Sequence, residues 1–309
     1  MNGVGVVLMT YGAPRTREDV APYLAKIRGG KTPADDLVAE MTRRYERIGW
    51  SPIVERTVAQ AEALERELGP GFRAAAGMRY SAPTIADAVG SVANAGADQL
   101  IGIVMSPQWS PMIMAGYERA LEEAASGRGL AVTVAHEWHR EPAFAASIAE
   151  RIREALSGFE DPQGVALLLT AHSLPRRVFD AEPGYVAQLR ETADLIAERA
   201  GLAPDRWQWA YQSAGHTTEE WLRPDLKELF PALAAKGHRD VLVVPVQFLA
   251  DHLEVLYDLD VAAADEAVAS GLRYHRIEMP NTQPAFIRAL AAVACGERAK
   301  KKDLEIVTP

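Results

Sequence analysis

Two short stretches in the second half of the chain carry the side chains best suited to chemistry. The first is Leu169-Thr170-Ala171-His172-Ser173-Leu174-Pro175, where five apolar residues, Val165 to Leu169, run straight into a histidine and a proline-marked turn follows. A neutral imidazole at the mouth of a buried sheet can ligate a metal or accept a proton. The same pattern also suits a histidine satisfied inside a core. The second stretch runs from Ala250 to Asp260 and crowds Asp251, His252, Glu254, Asp258 and Asp260 together. On a helix, Glu254 and Asp258 lie one turn apart on one face. His252 and Glu254 are two apart, so a helix would point them in different directions, poorly placed to grip one metal together. Carboxylate oxygens attract divalent cations, and crowding them raises their pKa values. A charged, solvated helix face is the competing account of this segment.

The elements that must hold these residues are legible as alternating short apolar runs and longer amphipathic stretches. Strands are expected at 3–9, 72–78, 100–105 and 130–135, and again at 164–170, 206–211, 241–246 and 272–277. Near-continuous apolar runs fit strands buried on both faces, hence parallel sheets covered by helices. Helical patterns fall at 53–68, 84–95, 114–126, 143–157, 185–200 and 284–299. One plan is used twice, giving an α/β protein of two similar Rossmann-like domains, each a four-stranded parallel sheet flanked by helices. The expected division is 1–142 and 143–309. The second domain carries His172 and Glu254, and the helices near 143–157 and 284–299 are candidates to pack across onto the first. Open parallel sheets bind ligands beyond the carboxyl ends of their strands. That rule singles out Tyr11, Arg79, Gln108, Trp109, His136, His172, Gln212, Ser213, Gln247 and Glu278.

Composition narrows the function classes. A chain of 309 residues, 48% hydrophobic, is long enough for a large core. A net charge of −9 argues against a nucleic-acid partner, which would want a basic face. The single cysteine, Cys295, cannot close an internal disulfide, which suits a reducing compartment. It also cannot supply the four thiolates of a typical iron–sulfur cluster. The first residues lack a basic leader and a cleavage site, and no apolar run approaches the ~20 residues of a membrane span. The expectation is a cytoplasmic monomer with no transmembrane segment. Two look-alike motifs fail. Gly29-Gly30-Lys31-Thr32 lacks the earlier glycine of a phosphate loop, and His136-Glu137-Trp138-His139 is one residue short of the zinc-protease spacing.

Taken together, the motifs resemble the ferrochelatase family from end to end. The matching stretches are Met9-Thr10-Tyr11-Gly12-Ala13-Pro14, Arg43-Arg44-Tyr45-Glu46 with Ser51-Pro52, Ala171-His172-Ser173-Leu174-Pro175, Tyr211-Gln212-Ser213, Trp221-Leu222-Arg223-Pro224-Asp225, Pro245-Val246-Gln247-Phe248 and Asp251-His252-Leu253-Glu254-Val255-Leu256-Tyr257-Asp258. The short length and the lack of a cysteine-bearing extension look most like the coproporphyrin III ferrochelatases of Gram-positive-type bacteria.

This resemblance implies a chelatase-like fold and a lyase that inserts Fe(II) into a porphyrin in haem biosynthesis. Iron is then a substrate, with no tightly bound cofactor and no iron–sulfur cluster. The partners are the porphyrin and ferrous iron, with only transient contact to neighbouring haem-pathway enzymes. His172 and Glu254 would face each other across the porphyrin and handle the iron, and Asp258 would continue an acidic track. Tyr11 would lie near the other face of the macrocycle. Arg28, Arg44, Tyr45, Ser51 and Tyr117 match positions that hold propionates or line the pocket. Ala262 stands where the family often has an acid, and Arg79-Tyr80 where it often has Lys-His.

Metallation must strip water from iron, bend the macrocycle and remove two pyrrole protons. A neutral imidazole can take a proton or hold iron before transfer, and the residues alone do not separate these. Trp50, Trp109, Met112, Ile113, Met114 and Phe248 are candidates to flank the tetrapyrrole. Arg28, Lys31, Arg43, Arg44 and Arg79 are the nearest cations for its propionates. Two rivals share these features: a chelatase for another metal, such as a cobaltochelatase, and a haem-binding carrier without catalysis. Turnover with different metals separates the first, and loss of metallation in a His172→Ala variant separates the second.

Overall fold

The computed structural model describes residues 3–215 and 218–307, with side chains to residue 300. The chain divides into two compact units. One is Met1–Ala143 together with Asn281–Pro309, and the other is Phe144–Pro280.

The first unit is built on a parallel sheet of β1 (Gly3–Thr10), β2 (Phe72–Met78), β3 (Ala97–Val104) and β4 (Ala131–Ala135), in the order β2-β1-β3-β4. The apolar run of β1 is buried from Val4 to Thr10, because strands pair on both its edges and helices cover both faces. The helices are α1 (Arg17–Ile27), α2 (Asp35–Arg47), α3 (Ile53–Leu68), α4 (Ile85–Asn94), α5 (Pro111–Ala125) and, from the far end of the chain, α11 (Pro284–Val307). α11 packs on α3, β3 and β4, and Gln60 Nε2 donates to the Asn281 carbonyl at 2.9 Å just before it. The linear division at 142 and 143 therefore differs from the units in its last segment, which clusters with the first unit.

The second unit repeats the plan with β5 (Ala166–His172), β6 (Trp207–Gln212), β7 (Asp240–Pro245) and β8 (Arg273–Arg276), in the order β6-β5-β7-β8, again all parallel. α6 (Pro142–Ser157) begins at the junction of the units, and α7 (Arg176–Ala181), α8 (Pro183–Ala200), α9 (Leu226–Ala235) and α10 (Ala264–Ala269) follow. On one side of the sheet Leu168, Val241 and Val243 pack with Phe230, Leu233 and Leu259. The double α/β plan and all eight strands match the sequence reading, with ends shifted by up to three residues.

Five α-helices absent from the sequence reading are α1, α2, α7, α9 and α10. α7 buries no residue, and α2 buries only Thr42 and Tyr45, so neither shows a wide apolar stripe. α1 and α9 each carry a proline inside, yet their starts are signalled by caps. Asp19 accepts from the Thr16 N–H at 3.0 Å, and Asp225 accepts from the Lys227 N–H at 3.1 Å. No helix of the described residues is long and apolar enough to cross a membrane.

Candidate active site

His172 is the last residue of β5, which lies between β6 and β7, so its side chain emerges from the middle of a sheet edge. Its backbone N–H donates to Gln247 Oε1 at 3.1 Å, and Gln247 Nε2 donates to the Tyr185 hydroxyl at 2.7 Å on α8. The strand end is thus braced from two neighbouring elements. His172 Nδ1 lies 2.5 Å from the Ser173 carbonyl oxygen. A carbonyl only accepts, so Nδ1 carries the hydrogen and the Nε2 lone pair is left for a proton or a metal. That Nε2 points at Glu254 Oε2, 4.0 Å away.

Glu254 arrives from the chain leaving β7, the strand paired beside β5. After His252 the backbone winds into a π-helix, Glu254–Ala263, in which the Ala264 N–H reaches back five residues to the Leu259 carbonyl. Val255 and Leu259 are fully buried and anchor this helix, while the Glu254 side chain keeps two-fifths of its surface open. Such windings are rare and concentrate at functional sites.

His252 completes the group. It precedes the helix, so helical spacing does not govern where it points. Its Nδ1 lies 3.0 Å from the Ala250 carbonyl, and Nε2 comes within 3.6 Å of the same Glu254 Oε2. Phe248 holds the ring edge-on at 4.5 Å. The helical-wheel expectation that His252 and Glu254 point in different directions is corrected by this approach.

The expectation that His172 and Glu254 face each other across a macrocycle is likewise corrected. At 4.0 Å they stand side by side, because adjacent parallel strands deliver both to one sheet edge. Two metal–ligand bonds of about 2.1 Å each span at most ~4 Å, so one ion can bridge the pair.

The electrostatics also differ from simple carboxylate crowding. Burial raises the Glu254 pKa, but the charges of His172 and of the closely approaching His252 outweigh it and hold the carboxyl down to about 2. Burial lowers the His252 pKa, but Glu254, the Ala250 carbonyl and the more distant Asp258 raise it above its ordinary value.

The other acids have separate duties. Arg276, at the end of β8, binds Asp260 through two 2.7 Å hydrogen bonds and approaches Asp251 at 3.9 Å. Asp258 is half-buried on the π-helix, and its charge is felt at His252. Among the described residues no three His, Cys, Asp or Glu side chains form a ready-made metal cage.

The candidate porphyrin residues lie in the first unit, in two local groups. Tyr11 follows β1 and is exposed. Gly12 after it adopts φ +86°, and a Cβ there would overlap Ser81 Oγ, so only glycine fits this turn. The Tyr23 hydroxyl donates to the Gly12 carbonyl at 2.8 Å and fixes the turn from α1. The Tyr11 ring meets Tyr80 at 4.7 Å and Tyr117 at 6.5 Å. Tyr117 comes from α5, whose start Ser110 caps by accepting from the Ile113 N–H at 3.2 Å. Burial pushes the Tyr117 phenol pKa up, so it stays a neutral hydrogen-bond donor.

The second group is Tyr45 stacked on Trp50 at 5.9 Å, with Ser51 buried beside them in sequence. Arg44 and Arg43 both grip Glu40. Arg28 caps the end of α1 and is exposed, as is Lys31. Of the apolar candidates, Met114 and Phe248 are core residues and Met112 is exposed. Sequence reasoning passed over Arg276 and Tyr185, the residue that braces Gln247. For Arg276 the only signal was a basic residue at a strand end.

A family model described as Ferrochelatase matches residues 3–297. The chain belongs to the ferrochelatase family. It is a metal chelatase, a lyase that inserts iron into a porphyrin in haem biosynthesis. The coproporphyrin III ferrochelatase of Halalkalibacterium halodurans is 37% identical over 307 residues, covering 97% of this chain and 98% of its own. A ferrochelatase of Deinococcus radiodurans is 37% identical, covering 94% of each chain. The coproporphyrin III ferrochelatase of Bacillus subtilis is 37% identical, covering 94% of this chain and 96% of its own. Among solved structures, SirB from Bacillus subtilis with Fe3+ superposes with a TM-score of 0.59 at 11% identity, covering 97% of this chain and 98% of that one. That likeness is one of fold.

Proposed function

We propose that this ferrochelatase inserts Fe(II) into coproporphyrin III, with Glu254 holding the metal and His172 accepting a pyrrole proton. The observation that carries this reading is the 4.0 Å approach of His172 Nε2 to Glu254 Oε2 at one sheet edge. The two groups divide the work by their proton affinities. A carboxyl held down to about 2 is a poor base at neutral pH but a ready anionic ligand for a divalent cation. The imidazole, with Nδ1 tied to Ser173, offers Nε2 to a proton leaving the macrocycle. Asp258, one step along the π-helix, extends the negative field toward incoming iron.

Tyr11, Arg28, Arg44, Tyr45, Ser51 and Tyr117 are assigned to the tetrapyrrole. Tyr11 and Tyr117 supply aromatic surface and hydroxyls, Arg28 and Arg44 supply charge for propionates, and Tyr45 and Ser51 add hydrogen-bonding hydroxyls. The names of the Halalkalibacterium and Bacillus relatives favour coproporphyrin III over porphyrins with two propionates. Iron enters as a substrate, with no resident cofactor and no iron–sulfur cluster, in keeping with a single cysteine. The enzyme works as a cytoplasmic monomer, meeting neighbouring haem-pathway enzymes only transiently.

An anaerobic metallation assay with Fe(II) tests the reading. Turnover of coproporphyrin III should exceed that of protoporphyrin IX in kcat/KM. Equal or reversed preference rejects coproporphyrin III as the substrate, and full activity in a Glu254→Gln variant rejects the site.

A further inference from the structure

Arg79 stands immediately beyond β2, with its backbone N–H donating to the Thr10 carbonyl at 2.9 Å. Its guanidinium lies over two aromatic rings, 5.0 Å from the centre of Tyr80 and 5.2 Å from that of Tyr117. Gly116 on α5 makes room for it, since a Cβ at that position would overlap the guanidinium. The side chain is half-buried, yet no acidic side chain of the described residues pairs with it. Arg17, Arg43, Arg44, Arg176, Arg273 and Arg276 all have carboxylate partners.

Ring faces fix the plane of a guanidinium but accept none of its N–H bonds. The fork of donors therefore remains available, and its geometry matches a carboxylate gripped at two points. Next to it Tyr11 exposes 41% of its surface and touches Tyr80. An unpaired cation beside an open aromatic face is complementary to a flat apolar ligand that carries a carboxylate.

We infer that Arg79 is a specificity-determining residue that binds one propionate of the tetrapyrrole, with Tyr80, Tyr117 and Gly116 as its seat. The inference rests on the function proposed above and adds a carboxylate subsite to it. Arg79 presents its fork already oriented, so little ordering is needed on binding.

The test is binding without iron, read by porphyrin fluorescence with the full chain. Coproporphyrin III is compared with its tetramethyl ester, which keeps the ring and loses the charges. Arg79→Gln should weaken coproporphyrin III binding by about 10-fold or more, the range for one charge-assisted hydrogen bond, and leave the ester unchanged. The salt dependence of coproporphyrin binding should flatten in the same variant. Arg79→Lys should recover part of the loss, and Gly116→Ala should mimic Arg79→Gln by unseating the guanidinium.

Equal loss for acid and ester would overturn the inference, because the residue would then only support the pocket wall. Unchanged coproporphyrin affinity in Arg79→Gln would overturn it too. A wild-type protein that metallates no porphyrin would instead sink the proposed function, which the Arg79 variants do not test.

Discussion

His252 Nε2 and His172 Nε2 approach the same oxygen of Glu254, at 3.6 and 4.0 Å, although they come from different strand-to-helix connections. One carboxylate oxygen therefore stands between two imidazoles. Whatever proton those imidazoles carry competes directly with iron for that oxygen.

The competition has a pH signature. The His252 pKa is raised above its ordinary 6.5 by Glu254, so the imidazolium persists above that pH. Protonated His252 repels Fe(II) and neutralises its ligand. The KM for Fe(II) should fall as pH rises through a midpoint above 6.5, and His252→Gln should abolish that dependence. The same pair contributes stability that is complete below 6.5 and lost as pH rises through the folded pKa. A KM for iron that is flat from pH 6 to 8 would contradict this.

His172→Ala removes the proton acceptor and leaves Glu254 in place. Metallation should fall at least ~100-fold, the usual scale of general-base help. Coproporphyrin III binding, followed by fluorescence, should survive. Turnover within a few-fold of wild type would exclude His172 from proton transfer.

Arg276 ties the π-helix to β8 through its double hydrogen bond to Asp260. Arg276→Met leaves that acid unpaired and frees the segment that aims Glu254. The cost should be about 1.5–3 kcal/mol in chemical denaturation, the range for hydrogen bonds to charged groups. The KM for Fe(II) should rise more than the KM for porphyrin. Asp260→Asn should reproduce both effects more mildly.

Asp240 sets an acid limit on stability. The Arg273 hydrogen bond, with help from His275, lowers its pKa below the ordinary 3.8. A depressed carboxyl contributes stability above its unfolded pKa and loses it as pH falls through the folded value. Denaturation midpoints should therefore drop as pH falls below about 4 in the wild type. Asp240→Asn should be less stable at pH 7 and lose less on acidification.

The chain's own order of residues determined the repeated α/β plan and the positions of all eight strands. Runs such as Val165–Leu169 are apolar because central parallel strands bury both faces, and that signal is local. It also determined that His172 closes a strand and that Glu254 lies in the helical segment following another, which named the candidate pair. Only the tertiary structure decided how these residues meet. Strand order put β5 beside β7, and hence His172 beside Glu254 on one side instead of across a ring. Helical spacing misled at His252 because that residue lies just before the helix, where its direction depends on the Ala250 carbonyl and the Phe248 ring. The depressed pKa of Glu254 could not be read from a run of acids, since it depends on two imidazoles reaching it through space. The sequence offered two helices, near 143–157 and 284–299, to the first domain; that the second took the place and the first clusters with the other unit depended on which apolar faces lay uncovered, a property of assembled sheets.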